Sequence, residues 1–337
     1  MQFAHRLWVA AGCALALLVS ASAVHAQQTK LLPNDTEMVV VFNLQQILKS
    51  EVLKGDEAKL LVEVVKAKVN KGLEDKMLDK HLKNAGFDLF KDLTSITYAI
   101  PGGRPPEEGF IVLEGKFNAD KIEEAAVAAA KDSPEVFRVT KIAGVKTFEI
   151  SPANQKPMYI GILDNKTMIV TADRADYTEA IARYNGTKKA AFKADVIKSL
   201  IGAVNARQSI SFVATSKVLA KLAENVPNDK AKAVVAGIEA EGYSIAITIN
   251  RDLDIHLGLN AKDNETASKY GTLVNAGLKA AREKVAEKAK EDEKAKVALD
   301  ILRTIEATTK GPNLTIRGQI SFEHLDMILK NLPIPQQ

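Results

Sequence analysis

Two segments of the chain share one plan: "GFIVLEGKFNADKIEEA" at residues 109–125 and "LDIHLGLNAKDNETASKY" at residues 253–270. Each begins with alternating apolar residues, the pattern of a strand that buries one face. Each then passes through a residue that can cap a helix, Asn118 in the first and Asp263 in the second, and continues into helix-forming residues. A strand that leads into a capped helix therefore occurs twice, which indicates an internal structural repeat.

Further strands and helices surround both segments in the same order. The predicted strands lie at 37–43, 94–100, 109–117, 136–140, 145–150, 158–163 and 167–172, and then at 209–214, 242–250, 253–261 and 313–321. Helices are predicted at 44–54, 57–70, 72–84, 119–131, 174–184, 193–204, 216–224, about 229–238 and 322–331. A long helical region is predicted at 263–308, with a break near Glu291–Asp292 and a stop at Gly311-Pro312.

The order β-α-β-β-α-β in each half is that of the split β-α-β, ferredoxin-like plan. The sequence therefore predicts an α+β protein made of two ferredoxin-like (split β-α-β) units with antiparallel sheets, the first with an added β-meander. Whether the two units share one sheet is left open. The predicted divisions are a signal peptide at 1–26, a polar arm at 27–35, a first unit at 36–205, a second unit with the long helical region at 206–332 and a tail at 333–337.

The first 26 residues have the features of a secretory signal: Arg6, a short apolar run from Leu7 to Val19, and the small-residue pattern Val24-His25-Ala26. The alternatives are an uncleaved anchor and a lipoprotein, the latter because Gly12 precedes Cys13, although the apolar run continues past that cysteine. Cleavage after Ala26 predicts a secreted or periplasmic protein. No other segment is apolar and long enough to cross a bilayer, so no transmembrane segment is expected after signal cleavage.

Composition excludes several kinds of chemistry from the mature chain. The single cysteine, Cys13, and the single tryptophan, Trp8, both lie in the predicted signal, so disulfides, thiolate nucleophiles and cysteine-ligated metals are not expected. The net charge of +4 falls to about +3 without Arg6, and lysines alternate with acids instead of forming a basic face. Nucleic acid is therefore not an expected partner.

The loop "IPGGRPPEEGF" at residues 100–110 is rich in polar groups but does not fit a phosphate loop, because a strand follows it where a helix would be needed. It predicts a β-hairpin connection, in which Arg104 or Glu108 is left as a candidate contact for a ligand or a partner. Three histidines remain in the mature chain: His81, His256 and His324.

These histidines do not form a two-histidine metal motif, and the chain has no G-x-S-x-G nucleophile turn. No catalytic, metal or cofactor-binding residue is predicted, and no cofactor is expected. His256 and His324 join Arg104 and Glu108 as candidate contacts for a ligand or partner.

Four segments together resemble a known family: "LLPNDTEMVVVFNLQQILKSEVLK" at 31–54, "ITYAIPGG" at 96–103, "GFIVLEGKFNADKIEEAA" at 109–126 and "YIGILDNKTMIVTA" at 159–172. With the signal, they are similar to an exported, signal-peptide-bearing protein family of planctomycete-type bacteria. The resemblance implies export. Its motifs are sheet and turn signatures, and they bring no catalytic residues with them.

Three functions follow as hypotheses. The first is a non-enzymatic exported protein that binds an unknown protein partner in the cell envelope or forms a structural component of it. The second is a hydrolase-like enzyme with a dispersed site that combines His256 or His324 with carboxylates. The third is an apolar-ligand carrier with a cavity between sheet and helices. For the long helical region the alternatives are a helical hairpin that covers its own sheet and a helix that binds a partner or membrane surface.

Overall fold

The structure is a computed structural model of the 337-residue chain and describes residues 29–54, 86–151, 156–204, 207–224 and 238–330. Within these residues, twelve strands form one continuous sheet in the order β11-β12-β10-β9-β8-β1-β2-β3-β7-β6-β5-β4, and every neighbouring pair is antiparallel. The strands are β1 Thr36–Phe42, β2 Leu93–Pro101, β3 Phe110–Gly115, β4 Phe137–Ile142, β5 Val145–Ile150, β6 Met158–Ile162, β7 Thr167–Thr171, β8 Ile210–Thr215, β9 Ala240–Ile249, β10 Leu253–Ala261, β11 Glu306–Lys310 and β12 Asn313–Ile320.

The helices follow the strands along the chain, and several begin at the caps that the sequence predicts. They are α1 Leu44–Lys49, α2 Leu89–Asp92, α3 Ala119–Asp132, α4 Arg174–Tyr184, α5 Asp195–Ala203, α6 Ser216–Ala223, α7 Asn264–Lys288, α8 Glu293–Thr304 and α9 Phe322–Lys330. Asn118, Asp173 and Asp263 each accept hydrogen bonds from backbone N–H groups in the first turn of the helix that follows. The two predicted caps, Asn118 and Asp263, are therefore confirmed.

The strands pair in a similar order on the two sides of a central strand pair. β1 and β8 pair at the middle of the sheet, with Val39 opposite Val213. From that pair the sheet continues as β1-β2-β3-β7-β6 on one side and as β8-β9-β10-β12-β11 on the other. On one side, β1, β2 and β3 are followed by β7, which is the second strand of the β6–β7 hairpin. On the other side, β8, β9 and β10 are followed by β12, which is the second strand of the β11–β12 hairpin. β5 and β4 extend the first half, as the added meander predicts.

The ferredoxin-like plan is not confirmed. In a split β-α-β unit, the strands on either side of the helix are separated by another strand. Here β1 pairs directly with β2, and β8 pairs directly with β9, both antiparallel. The sequence predicts the order of the elements, but pairing depends on contacts between residues far apart along the chain.

The long helical region ends earlier than predicted. α8 ends at Thr304, and residues 306–310 form β11, which pairs with β12. Gly311 has a φ of 59°, which glycine adopts readily, and it forms the tight turn of this hairpin. Thr308 and Thr309 are β-branched and favour strand over helix, which explains why the strand replaces the predicted last turns.

The sheet has two apolar faces. The α5 face bears Val39, Val41 and Val213 and is covered by α4 and α5 in the first half of the chain. The α7 face bears Phe212 and is covered by α6 and α7 in the second half. Because side chains alternate along a strand, each strand contributes to both faces.

The predicted polar arm at 27–35 is not a solvated segment where the structure describes it. Leu31 and Leu32 are fully buried in the core on the α5 face. The buried guanidinium of Arg183 on α4 donates to the Leu31 carbonyl at 3.3 Å and to Asn34 Oδ1 at 3.1 Å. Two buried leucines and this arginine therefore fix the arm to the first half.

Among the described residues, no helix is long and apolar enough to span a membrane. In the same part of the chain, no group of three or more histidine, cysteine or acidic residues is arranged to hold a metal ion.

Candidate functional site

Apolar side chains form two cross-strand rows on the α7 face of the second half. Phe212, Ile245, Leu257 and Ile316 lie opposite one another across β8, β9, β10 and β12. Tyr243, Leu259 and Leu314 form the adjacent row. Alternation along each strand places both rows on the same face, so together they make a continuous apolar floor.

The helices above this floor leave a gap, which we name the apolar groove. Leu219 of α6 lies at one side, and Tyr270, Leu273 and Val274 of α7 lie at the other. The three α7 residues are spaced i, i+3 and i+4, so they share one helix face. The gap encloses a cavity of about 500 Å³ above the strand residues.

Large apolar side chains remain exposed in the groove. Leu273 is 59% exposed, Leu257 40% and Ile245 38%. Single exposed apolar residues are common on protein surfaces, but these three line one concave site. A contiguous exposed apolar patch of this kind is typical of a binding surface.

The polar groups in the described groove lining are hydroxyls. Tyr270 Oη accepts a hydrogen bond from the backbone N–H of Glu239 at 2.8 Å. Burial raises the pKa of Tyr243, the nearby Tyr270 raises it further, and a hydrogen bond with Ser216 opposes both effects. The Tyr243 phenol is therefore neutral at physiological pH, and no charged side chain lies in the described lining.

Arg104 is held inside the molecule by three aspartates. Its Nη1 lies 2.5 Å from Asp176 Oδ2 and 3.4 Å from Asp173 Oδ2, and its Nη2 lies 3.8 Å from Asp35 Oδ2. Burial lowers the pKa of Arg104, but the hydrogen bond and charge of Asp176 outweigh it and leave the pKa raised. The residue ties the loop after β2 to the start of α4 and to the segment before β1.

The loop that carries Arg104 is the predicted hairpin connection, because β2 pairs with β3 on either side of it. Glu108, in the same loop, forms an ion pair with Lys156 at 2.7 Å. The two loop residues predicted as candidate contacts thus both have intramolecular partners.

The two described histidines lie at separate places. His256 is exposed on β10, on the α5 face, opposite Arg317 of β12. His324 Nε2 of α9 lies 3.9 Å from Asp300 Oδ2 of α8, and α8 packs against α7 and β12. The structure therefore does not bring them into one cleft. His81 lies outside the described residues.

The apolar groove is not predicted by the sequence. For the long helical region the sequence predicts either a hairpin that covers its own sheet or a helix that binds a partner or membrane surface, and α7 does pack on β11 and β12. The strand alternation at Leu257 and Leu259 predicts an apolar face. The gap between α6 and α7 depends on the spacing of two helices that are distant in sequence, and no local pattern encodes it.

No model of a known protein family matches the chain, and no curated protein matches it. The resemblance to exported planctomycete-type proteins stays a prediction. Among solved structures, the chain is similar to one described as "Structure of crystal form I of TP0453", with 10% sequence identity and a TM-score of 0.41. The similarity covers 89% of this chain and 95% of that one, and it is too weak to carry a conclusion about function.

Proposed function

We propose that the protein is a non-enzymatic exported carrier that binds an uncharged apolar molecule or aliphatic chain in the apolar groove. The observation that supports it is the cavity of about 500 Å³ whose described lining is almost wholly apolar. Pockets that hold small ligands have this size and character, with a few polar groups that set orientation. Here Tyr243 and Tyr270 supply two hydroxyls, each of which also has one intramolecular hydrogen bond.

The absence of charge in the described lining selects the ligand class. A phosphate, a carboxylate or a sugar would lose hydration in the groove without an ionic or dense hydrogen-bonding partner. An aliphatic chain loses no such interactions, and each buried methylene contributes about 0.8 kcal/mol. Apolar chains are therefore the ligands that the groove can bind with net gain.

Displacement of Nile red by straight-chain 1-alkanols tests the proposal. We expect the dissociation constant to fall about three- to fourfold for each added methylene until the groove is filled, because each methylene contributes about 0.8 kcal/mol. No displacement, or an affinity independent of chain length, would contradict the proposal.

Leu273→Asp should weaken alkanol binding at least tenfold, because it places a carboxylate in the cavity. Leu273 is 59% exposed, so the substitution should leave the fold intact. Met158→Asp is the matched control: Met158 is 39% exposed on β6 in the other half of the sheet, and its substitution should leave binding unchanged. Equal affinities of the two variants would count against the groove.

The hypothesis of a protein partner in the envelope stays a prediction. Two results together would favour a protein partner over the carrier. Alkanols would fail to displace the dye, and the Leu273→Asp variant would lose a stoichiometric complex that the native protein forms with one other protein.

A further inference from the structure

A second concave site lies on the α5 face of the same strands, opposite the apolar groove. We name it the polar cleft: the cavity of about 530 Å³ between the end of α5 and strands β9, β10 and β12. Leu200 and Val204 line it at the α5 side. His256 and Arg317 line it at the strand side. The cleft is thus apolar on one side and basic on the other.

Strand register fixes the basic side. His256 lies directly opposite Arg317 across the β10–β12 pair. Directly opposed residues on one face have Cβ atoms about 5 Å apart, so one anionic group can contact both side chains. Both residues are exposed on the face that they share.

Small residues form the floor of the cleft. Ser244, Gly258 and Thr315 lie in one cross-strand row. A Cβ added at Gly258 would lie 2.2 Å from Ser244 Oγ, so the row has no room for a larger side chain there. The floor therefore stays low and supplies two hydroxyl groups beside the basic pair.

The charges in the described lining have one sign. It contains Arg207 and Arg317 and no carboxylate. Among the described residues, Arg317 makes no ion pair or hydrogen bond through its side chain, although Glu306 is its cross-strand neighbour on β11. A guanidinium without a carboxylate partner can accept an anion without breaking an existing pair.

The environment of His256 favours its neutral form. Although His256 is exposed, partial desolvation lowers its pKa, the charge of Arg317 lowers it further, and Asp254 on the same strand opposes both effects. Asp254 lies on the same face, opposite Gln319 of β12, and Ala246 is the β9 residue opposite His256. The imidazole is therefore largely neutral at neutral pH, and a bound anion would raise its pKa.

We propose that the polar cleft binds a small organic anion, whose carboxylate or phosphate contacts Arg317 and His256 and whose apolar body contacts Leu200 and Val204. The volume is that of an organic ligand and far exceeds that of a bare inorganic ion. The apolar wall and the basic side lie across one cavity, so a ligand needs both parts to fill it. The polar cleft and the apolar groove lie on opposite faces of the same strands, and both linings include Phe212, Ser244, Ile245, Leu257 and Gly258.

Phenyl phosphate is the probe, and the His256 ring protons are the local reporter in NMR, assigned with His256→Gln. We expect a saturable shift of these signals and a rise in the pKa of His256 when the probe is bound. Benzyl alcohol, which has the ring without the charge, should cause neither change. Comparing the dissociation constants of benzoate and phenyl phosphate shows whether the cleft prefers a carboxylate or a phosphate.

Arg317→Gln should weaken phenyl phosphate binding at least tenfold. Lys310→Gln, which removes one positive charge from an exposed residue of β11 outside the cleft lining, should change it less than twofold. Thermal unfolding of both variants checks that they are folded. The proposal is overturned if the probe gives no saturable shift, if benzyl alcohol binds equally well, or if folded Arg317→Gln binds like the native protein.

Discussion

Replacement of Tyr177 by alanine is expected to lower the free energy of unfolding by about 4 kcal/mol. Tyr177 lies on α4 and is 0% exposed. Its ring lies 6.1 Å from that of Tyr159, centroid to centroid, and its hydroxyl is 2.8 Å from Thr147 Oγ1. The side chain joins α4 to β5 and β6, so its removal would leave a cavity between helix and sheet.

The contact with β6 explains why the core cannot easily close over that cavity. A Cβ added at Gly161 would lie 2.0 Å from the Tyr177 hydroxyl, so the ring rests directly on the backbone of the strand. The sheet backbone is held by hydrogen bonds and cannot move into the space. The cost should therefore lie in the upper part of the range for aromatic truncation.

Tyr177→Phe is the matched control, because it keeps the ring and removes only the hydroxyl. It should cost about 1 kcal/mol, since Thr147 Oγ1 also donates to the Val145 carbonyl at 3.1 Å and keeps one partner. Urea unfolding measures both variants. If alanine costs no more than phenylalanine, the packing described for Tyr177 is wrong.

Replacement of Arg104 by methionine is expected to cost about 3 kcal/mol. The substitution keeps most of the stem and removes the charge that Asp35, Asp173 and Asp176 share. Asp176 is the critical partner, because its side chain is 11% exposed and would be left as a buried carboxylate beside two others. Breaking one side of such a pair costs more than the pair itself contributes.

Lys156→Met provides the control for Arg104→Met. This substitution breaks the ion pair of Lys156 with Glu108, which lies on the same loop as Arg104, but the Lys156 side chain is 65% exposed. Exposed pairs contribute about 0–1 kcal/mol, so this variant should unfold almost like the native protein. Equal losses in the two variants would show that the aspartates do not depend on Arg104.

The effect of Arg104→Met should also depend on pH. In the native protein, burial raises the pKa of Asp176, and the charges of Asp173 and Asp35 raise that pKa further. Arg104 opposes these effects, so the pKa of Asp176 should be higher still in the variant. An acid whose pKa is higher in the folded state binds more protons there, and stability then falls as pH rises. The stability that the variant loses relative to the native protein should therefore become smaller as the pH falls from about 7 to about 4. A loss that is the same at both pH values would contradict this explanation.

Local patterns predict the elements of this protein well where the signal is local. The run Met38–Val41 predicts β1, and Asp263 predicts the start of α7. β11 is missed because two threonines next to a strongly helix-forming region are a weak strand signal. Short-range propensity is thus sufficient for most boundaries and insufficient at this hairpin.

The pairing and the two cavities could not be predicted in the same way. The contact of Val39 with Val213 joins strands from opposite halves of the chain, and loop lengths alone do not select it. Arg104 is recognisable as a polar residue in a hairpin loop, but its three aspartates come from two other segments. The apolar groove likewise requires Leu257 and Leu273 to meet across a sheet–helix gap.

Methyl NMR can test at the residues themselves whether an aliphatic chain occupies the space between β10 and α7. With isoleucine and leucine methyl groups labelled and 1-decanol added to saturation, we predict shifts and intermolecular contacts at Ile245, Leu257 and Leu273. The methyl groups of Ile169 and Ile181, buried in the core of the first half, should not change. Unchanged signals at the first three residues, or decanol contacts in the first-half core instead, would contradict the proposed carrier.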